Sequence, residues 1–213
     1  MHYLLDICLV LFLMTLGILI LYSPWCQKNL VKVYTLFISR SFKKIGKKKF
    51  IRPFAELKGA KYISIGNGLV FNKQNVLTAW DSFLDGENKQ SFSPAIIIGN
   101  NCHFGANNHI SAINRIEIGD NFLSGKWVTI VDNGHGTTDD TELSIAPNKR
   151  KLFSKGPVII GKNVWVGDKA TILPGVTIGN GVVIGANTVV THDIPDNSIV
   201  IGNPGRILKR KSI

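Results

Sequence analysis

The sequence predicts a three-sided parallel β-solenoid behind an apolar, basic N-terminal segment, and three observations carry that expectation. An aliphatic residue returns every six positions at Ile160, Val166, Ile172, Ile178, Ile184 and Val190. Glycine follows it at Gly161, Gly167, Gly179 and Gly185, and a small or apolar residue precedes it by two, from Val158 to Thr188. The charge is one-sided. Residues 1–52 hold nine Lys/Arg against the single acid Asp6, whereas residues 53–213 hold sixteen bases against thirteen acids.

A period of six has one economical explanation. A helix would spread it over drifting faces, because six is not near a multiple of 3.6. An ordinary strand would alternate for a short span and lose phase at its turn. A coil of three hexads, each a short strand and a corner, keeps the phase and turns every aliphatic side chain inward. Stacking such coils about 4.8 Å apart buries a continuous core that one coil could not bury alone. Glycine after the aliphatic position suits a corner with unusual backbone angles.

The same phase appears earlier at Ile98-Gly99, Phe104-Gly105 and Ile110, and resumes at Ile118-Gly119 after a two-residue shift. Ile65-Gly66 places the first coil near Tyr62. Residues 81–94 and 132–157 break the phase and are expected to leave the solenoid as loops. The chain thus divides into a membrane-anchoring segment at 1–55, a solenoid body at 56–208 and a basic tail at 209–213.

The N-terminal segment opens with nineteen residues, Leu4 to Tyr22, interrupted only by Asp6. That length can cross a hydrocarbon layer of roughly 30 Å as a helix. A cleaved signal fits poorly, since no Lys or Arg precedes the run and no small-residue cleavage site follows it. The basic flank from Lys28 to Arg52 is expected to stay cytoplasmic, which puts the body on the cytoplasmic side of the membrane. Within the flank, LVKVYTLFISRSF mixes apolar and basic residues and suits an anionic bilayer surface.

Two function classes recede on composition. Nucleic-acid binding would need basic residues massed on the folded body, and they are not there. Cys8, Cys26 and Cys102 show neither metal-ligand spacing nor a disulfide framework, and read as free thiols in a reducing compartment. No metal is expected.

IEIGDN at 116–121, DNGHG at 132–136, GPVIIGKNVWVG at 156–167, ILPGVTIG at 172–179 and the ending DIPDNSIVIGNPGRILKR carry a resemblance. Over roughly residues 60–208 the chain resembles the hexapeptide-repeat acyltransferases, and within them the galactoside, maltose and surface-polysaccharide O-acetyltransferases. The resemblance implies a left-handed coil, which the period alone does not. It further implies acetyl-CoA or another acyl-CoA as donor, a sugar or glycan acceptor, and a homotrimer with donor channels between subunits.

For the site, the resemblance makes His135 the catalytic base. Removing a hydroxyl proton as the C–O bond forms is work suited to an imidazole. Asp132 is the nearby candidate to hold its tautomer, a task a backbone carbonyl could also perform. Asn107 matches the asparagine that contacts the acceptor hydroxyl, with Asn108 beside it, although asparagine ladders at solenoid corners explain both equally simply. Trp165 matches the aromatic lining of the pantetheine channel, and Gly167 with Asp168 the turn whose N–H faces the thioester carbonyl. Ala186 matches the small residue beneath the pantetheine arm, and Thr191 and Arg206 positions near the adenosine end and its 3′-phosphate. His192 stands where a lysine is common.

Other readings are weighed against this. A carbonic anhydrase on the same coil would need histidines spaced for a metal, and His103 and His109 are not. A noncatalytic solenoid interaction protein would have no use for His135, Trp165 and Arg206 together. An N-acetyltransferase acting on an amino sugar is the main alternative within the superfamily.

Overall fold

The structure, a computed structural model, describes residues 23–85, 88–137 and 139–208. Six coils stack in register. The first is β1 (Lys44–Ile45), β2 (Phe50–Ile51) and β3 (Glu56–Lys58); the second is β4 (Ile63–Ile65), β5 (Val70–Phe71) and β6 (Val76–Ala79). A hairpin, β7 (Ser82–Asp85) and β8 (Asn88–Ser91), then leaves the body. The third and fourth coils are β9 (Ala95–Ile98), β10 (His103–Phe104), β11 (His109–Ala112) and β12 (Arg115–Ile118), β13 (Leu123–Ser124), β14 (Thr129–Val131). A second excursion carries β15 (Gly134–His135), a helical turn at Asp140–Leu143 and β16 (Leu152–Phe153). The fifth and sixth coils are β17 (Val158–Ile160), β18 (Trp165–Val166), β19 (Thr171–Ile172) and β20 (Thr177–Ile178), β21 (Val183–Ile184), β22 (Val189–Val190). β23 (Ile199–Ile201) continues one sheet, and β24 (Arg206–Ile207) closes it antiparallel.

Three sheets make the three faces. The first runs β1-β4-β9-β12-β17-β20, the second β2-β5-β10-β13-β18-β21-β23-β24, and the third β3-β6-β11-β14-β19-β22. Every strand pairing between coils is parallel. This is the three-sided parallel β-helix that the six-residue period predicts.

The predicted six-residue phase is the burial pattern. Ile160, Val166, Ile172, Ile178, Ile184 and Val190 all point inward and are at most 2% exposed. Nearer the N-terminus the layers widen to aromatics, with Phe71 stacked on Phe104 at 4.3 Å and Phe122 tilted beside it at 5.2 Å. The corner between the first and second faces is an amide ladder. Asn100 Oδ1 accepts from the Asn67 amide at 2.9 Å, and Asp120 Oδ1 from the Asn100 amide at 2.7 Å. That amide holds the Asp120 carboxyl below the usual carboxylate range. The column beside it, Asn101, Asn121 and Asn163, takes left-handed backbone angles that asparagine tolerates.

The solenoid begins earlier than the sequence indicates. Lys44–Lys58 forms a complete first coil, so the boundary expected at residue 55 and the start expected near Tyr62 both fall too late. The first coil escaped notice because Ile45-Gly46 and Ile51-Arg52 lie in a lysine-rich stretch that reads as a membrane flank. Its lysines point outward, while Ile51 is fully buried.

Ahead of it, α1 (Pro24–Ile38) is capped by Ser23 and packs on β2. The Thr35 hydroxyl donates to Ile51 O at 3.1 Å and accepts from Ile51 N at 3.0 Å, tying the helix to the coil's edge. Leu4 to Tyr22 lies outside the described residues, as do the tail residues 209–213. Among the described residues no helix is long and apolar enough to cross a membrane.

Candidate active site

Both excursions leave the body after third-face strands, one after β6 and one after β14, and they meet over that face. Their junction is specific. Gln90 of β8 uses its side-chain amide as a strand would, donating to Leu152 O at 3.1 Å and accepting from Leu152 N at 2.8 Å. Leu152 in turn pairs antiparallel with His135. The Phe83 ring sits edge-on to the His135 imidazole with centroids 5.7 Å apart.

Between excursions and face lies a cavity of about 330 Å³. His135, Phe83, Trp80, His109, Ser111 and Thr78 line it, with Glu56 at its lower edge. His135 is exposed and its ring has no hydrogen-bond partner among the described residues. The Thr78 hydroxyl is buried and likewise without a partner, a condition that a ligand or water in the cavity would relieve. An imidazole that can take a proton thus faces a space of small-molecule size next to an unpaired hydroxyl.

The expected orienting role of Asp132 is corrected. Its carboxylate is fully buried; Oδ1 accepts from Ile113 N at 2.9 Å and from Asn133 Nδ2 at 3.0 Å, and Oδ2 from Asn114 N at 2.9 Å. It pins the root of the excursion to the preceding coil and makes no bond to His135. Asn133 adds a bond from Nδ2 to Ser111 O at 3.1 Å. The pair places His135 through the backbone.

Asn108 is also corrected, toward the corner reading. Asn108 is buried; its Nδ2 donates to Ser124 Oγ at 2.9 Å and Gly105 O at 3.3 Å, and its Oδ1 accepts from Val128 N at 2.8 Å, so the side chain is committed to the corner. Asn107 occupies a left-handed corner with φ of 61°. Neither lines the His135 cavity. His109, which the sequence offers only as a possible extension of the site, lines the cavity, and Ser111, Thr78, Trp80 and Phe83 join it without having been expected there. A signal existed: they alternate with inward Ile110 and Leu77, or sit where the chain first leaves the coil.

Of the residues expected at the donor, Trp165, Gly167, Asp168, Ala186 and Arg206 lie on or beside the second face, whereas Thr191 follows β22 on the third and lines a pocket with Gly134 and Gly136. Trp165 is 51% exposed on the second face, in line with Leu123 and Val183. Gly167 donates its N–H to Ile184 O at 2.8 Å, so that amide is engaged and is corrected as an oxyanion donor. The next amide, that of Asp168, has no acceptor among the described residues. A side chain at Gly167 would meet Ala186 N at 2.6 Å, which is why the corner is bare there. Ala186 is exposed on the following coil. Thr191 Oγ1 lies 2.7 Å from His192 Nδ1 near the excursion's outer wall, and Arg206 is exposed on β24. No described residue of this second-face group lines the His135 cavity. Among the described residues no cluster of His, Cys, Asp and Glu is placed to hold a metal.

Residues 157–192 match the sequence family described as bacterial transferase hexapeptide (six repeats). Those residues, the fifth and sixth coils, carry that repeat. The hexapeptide-repeat chain is 41% identical over 109 residues to the galactoside O-acetyltransferase of Escherichia coli, covering 44% of this chain and 53% of that one. It is 39% identical over 105 residues to an E. coli protein provisionally named a lipopolysaccharide biosynthesis O-acetyl transferase, covering 48% and 54%. It therefore spans about half the length of these curated relatives. An N-acyltransferase from Bacillus cereus, solved with dTDP and 3-hydroxybutyryl-CoA, shares the fold with a TM-score of 0.63 at 22% identity, over 84% of this chain and 88% of that one.

Proposed function

We propose that the chain is an acyl-CoA-dependent O-acetyltransferase, moving an acetyl group from acetyl-CoA to a sugar hydroxyl of a surface glycan or its lipid-linked precursor. The observation that carries this reading is His135, exposed and unengaged over a cavity on the hexapeptide solenoid. The names of the relatives at 39% and 41% identity support the O-acetyl chemistry.

In this mechanism His135 accepts the proton of the sugar hydroxyl while its oxygen attacks the thioester carbonyl. The tetrahedral intermediate collapses with loss of the C–S bond, and the thiolate of coenzyme A takes the proton back from the imidazolium. The free Asp168 amide is the donor we assign to the developing oxyanion. Cys102 is buried and its thiol pushed up to about 11, so it plays no part as a nucleophile.

Trp165, Asp168, Ala186 and Arg206 form the donor surface in this reading, with Thr191 toward the adenosine end. Because His135 and Trp165 lie on different sides of one prism, a complete site needs a second copy, which a homotrimer supplies. We place the catalytic body on the cytoplasmic side of the bacterial inner membrane. Supporting this, α1 turns Trp25, Leu30, Val33, Leu36 and Phe37 outward, and Lys28, Lys32 and Lys43–Lys49 surround it.

The test is release of coenzyme A from acetyl-CoA by the full-length protein, offered lipid-linked oligosaccharides with free hydroxyls or with free amines. The reading expects release with hydroxyl acceptors and an ester that mild alkali removes. An alkali-stable amide would replace it with N-acetyl transfer. No release with either class would end it.

A further inference from the structure

The corner between the second and third faces holds a second cavity, of about 390 Å³, that the mechanism above does not use. Arg52, Asn72, Lys73, Gly105, Ala106 and Lys126 line it. Strand register sets these residues in two columns. Val70 pairs with Phe50 and His103, Leu123 with His103 and Trp165, and Trp165 with Val183. Carried two or three residues past each strand, that register aligns Lys73, Ala106, Lys126, Asp168 and Ala186 on successive coils. Arg52, Asn72, Gly105, Gly125, Gly167 and Gly185 form the neighbouring column.

The floor of the cavity is bare by necessity. A Cβ at Gly105 would meet Gly125 O at 2.0 Å. Arg52, Lys73 and Lys126 are among the lining residues, none of which is acidic, and the Arg52 guanidinium lies 5.5 Å from the centroid of the Phe50 ring. Among the described residues, Arg52, Lys73 and Lys126 take part in no salt bridge. The adjacent carboxylate, Asp168, already accepts from the Lys126 amide at 2.8 Å and closes the end toward the fifth coil. With one carboxylate at its edge the corner keeps a net positive charge, and an anion among its cations is attracted to it. A guanidinium with two ammonium groups over a glycine floor suits a phosphate or diphosphate.

The cavity's position says which molecule carries that group. On one side the column continues into Asp168 and Ala186, where the donor's thioester and pantetheine arm are assigned, with the nucleotide phosphates beyond them toward Arg206. On the other side, Arg52 follows Ile51, the residue tied to Thr35 of α1. An anion here is at the acceptor end of the groove and beside the helix that we place on the bilayer. We infer that this corner binds the phosphoryl group of the acceptor, a glycan joined through phosphate or diphosphate to its carrier. The inference rests on the transferase reading and its placement of the donor.

Titration calorimetry of the full-length protein with inorganic pyrophosphate, in saturating coenzyme A, tests it. Binding should persist with coenzyme A present. It should weaken about tenfold in each of Arg52→Gln, Lys73→Gln and Lys126→Gln, the loss of roughly one charge-assisted contact, and be unchanged in Arg206→Gln. No binding by the wild type, displacement by coenzyme A, or loss in Arg206→Gln would overturn the assignment. A kinetic arm separates an acceptor-borne phosphate from a free anion. The preference of kcat/KM for a hexose 1-phosphate over the free hexose should collapse in the Lys73→Gln, Lys126→Gln double variant. An unaltered preference would also overturn it. Absence of turnover with both acceptors in the wild type would strike the transferase reading instead, leaving the pyrophosphate titration to judge the cavity.

Discussion

The coils at Val158–Val190 and the two excursions at 82–91 and 132–157 divide the labour of this molecule. In the coils every inward position but Thr188 is aliphatic, all are buried, every corner is small or left-handed, and the pattern repeats with little change. The excursions share no period, are held by a few side-chain-to-backbone bonds, and bring Phe83, His135 and Leu152 together over the third face. The contrast teaches that stability here is distributed and chemistry is local. A change in a coil should unfold the protein before it alters the reaction, and a change in an excursion should do the reverse.

The largest stability effect should come from the coils. Ile172→Ala removes a fully buried side chain between Ile130 and Val190 and should cost about 2–5 kcal/mol. It would read out as a lowered denaturant midpoint with an unchanged rate per folded molecule. A midpoint unmoved by that truncation would mean that the layers are not packed as described.

Asp132→Ala sits at the junction of the two regions. It leaves the Ile113 and Asn114 amides unpaired and should cost about 1–3 kcal/mol. Because Asp132 positions His135 only through the backbone, kcat should fall while added imidazole gives partial rescue. An effect on kcat with full stability would instead point to direct contact in the working state.

Gln90→Ala removes the clasp between the excursions at a smaller cost, about 1 kcal/mol. Here KM for the acceptor should rise several-fold with KM for acetyl-CoA unchanged. Equal changes in both would break the assignment of the excursions to the acceptor. The smallest effect concerns Cys102. With its thiol raised by burial to about 11, the protonated form dominates at pH 8, and thiolate appears only as pH approaches that value. A thiol reagent at pH 8 should leave Cys102 unlabelled until the chain is denatured.

Legibility in the sequence follows the same division. From Val158 onward, periodicity, glycine placement and burial agree, because each hexad meets the same environment one coil above and one below. His135 was legible through its DNGHG context. The roles expected for Asp132, Asn108 and Gly167 were not, because sequence shows that a polar group is present but not that a neighbouring coil already bonds to it. The first coil, Lys44–Lys58, was hidden for a related reason: outward lysines on a solenoid look the same in sequence as the flank of a membrane segment. His109 and Thr78 needed the fold, since only the crossing of two excursions turns ordinary outward positions into a cavity wall.

Everything about the proposed chemistry passes through the His135 imidazole. The most direct measurement is the turnover of His135→Ala with acetyl-CoA and a hydroxyl acceptor, taken beside its thermal midpoint and with and without added imidazole. The account predicts a loss of roughly 10²–10⁴-fold in kcat, a midpoint within a few degrees of the wild type, and partial rescue by imidazole. Wild-type turnover in a folded His135→Ala protein would contradict it.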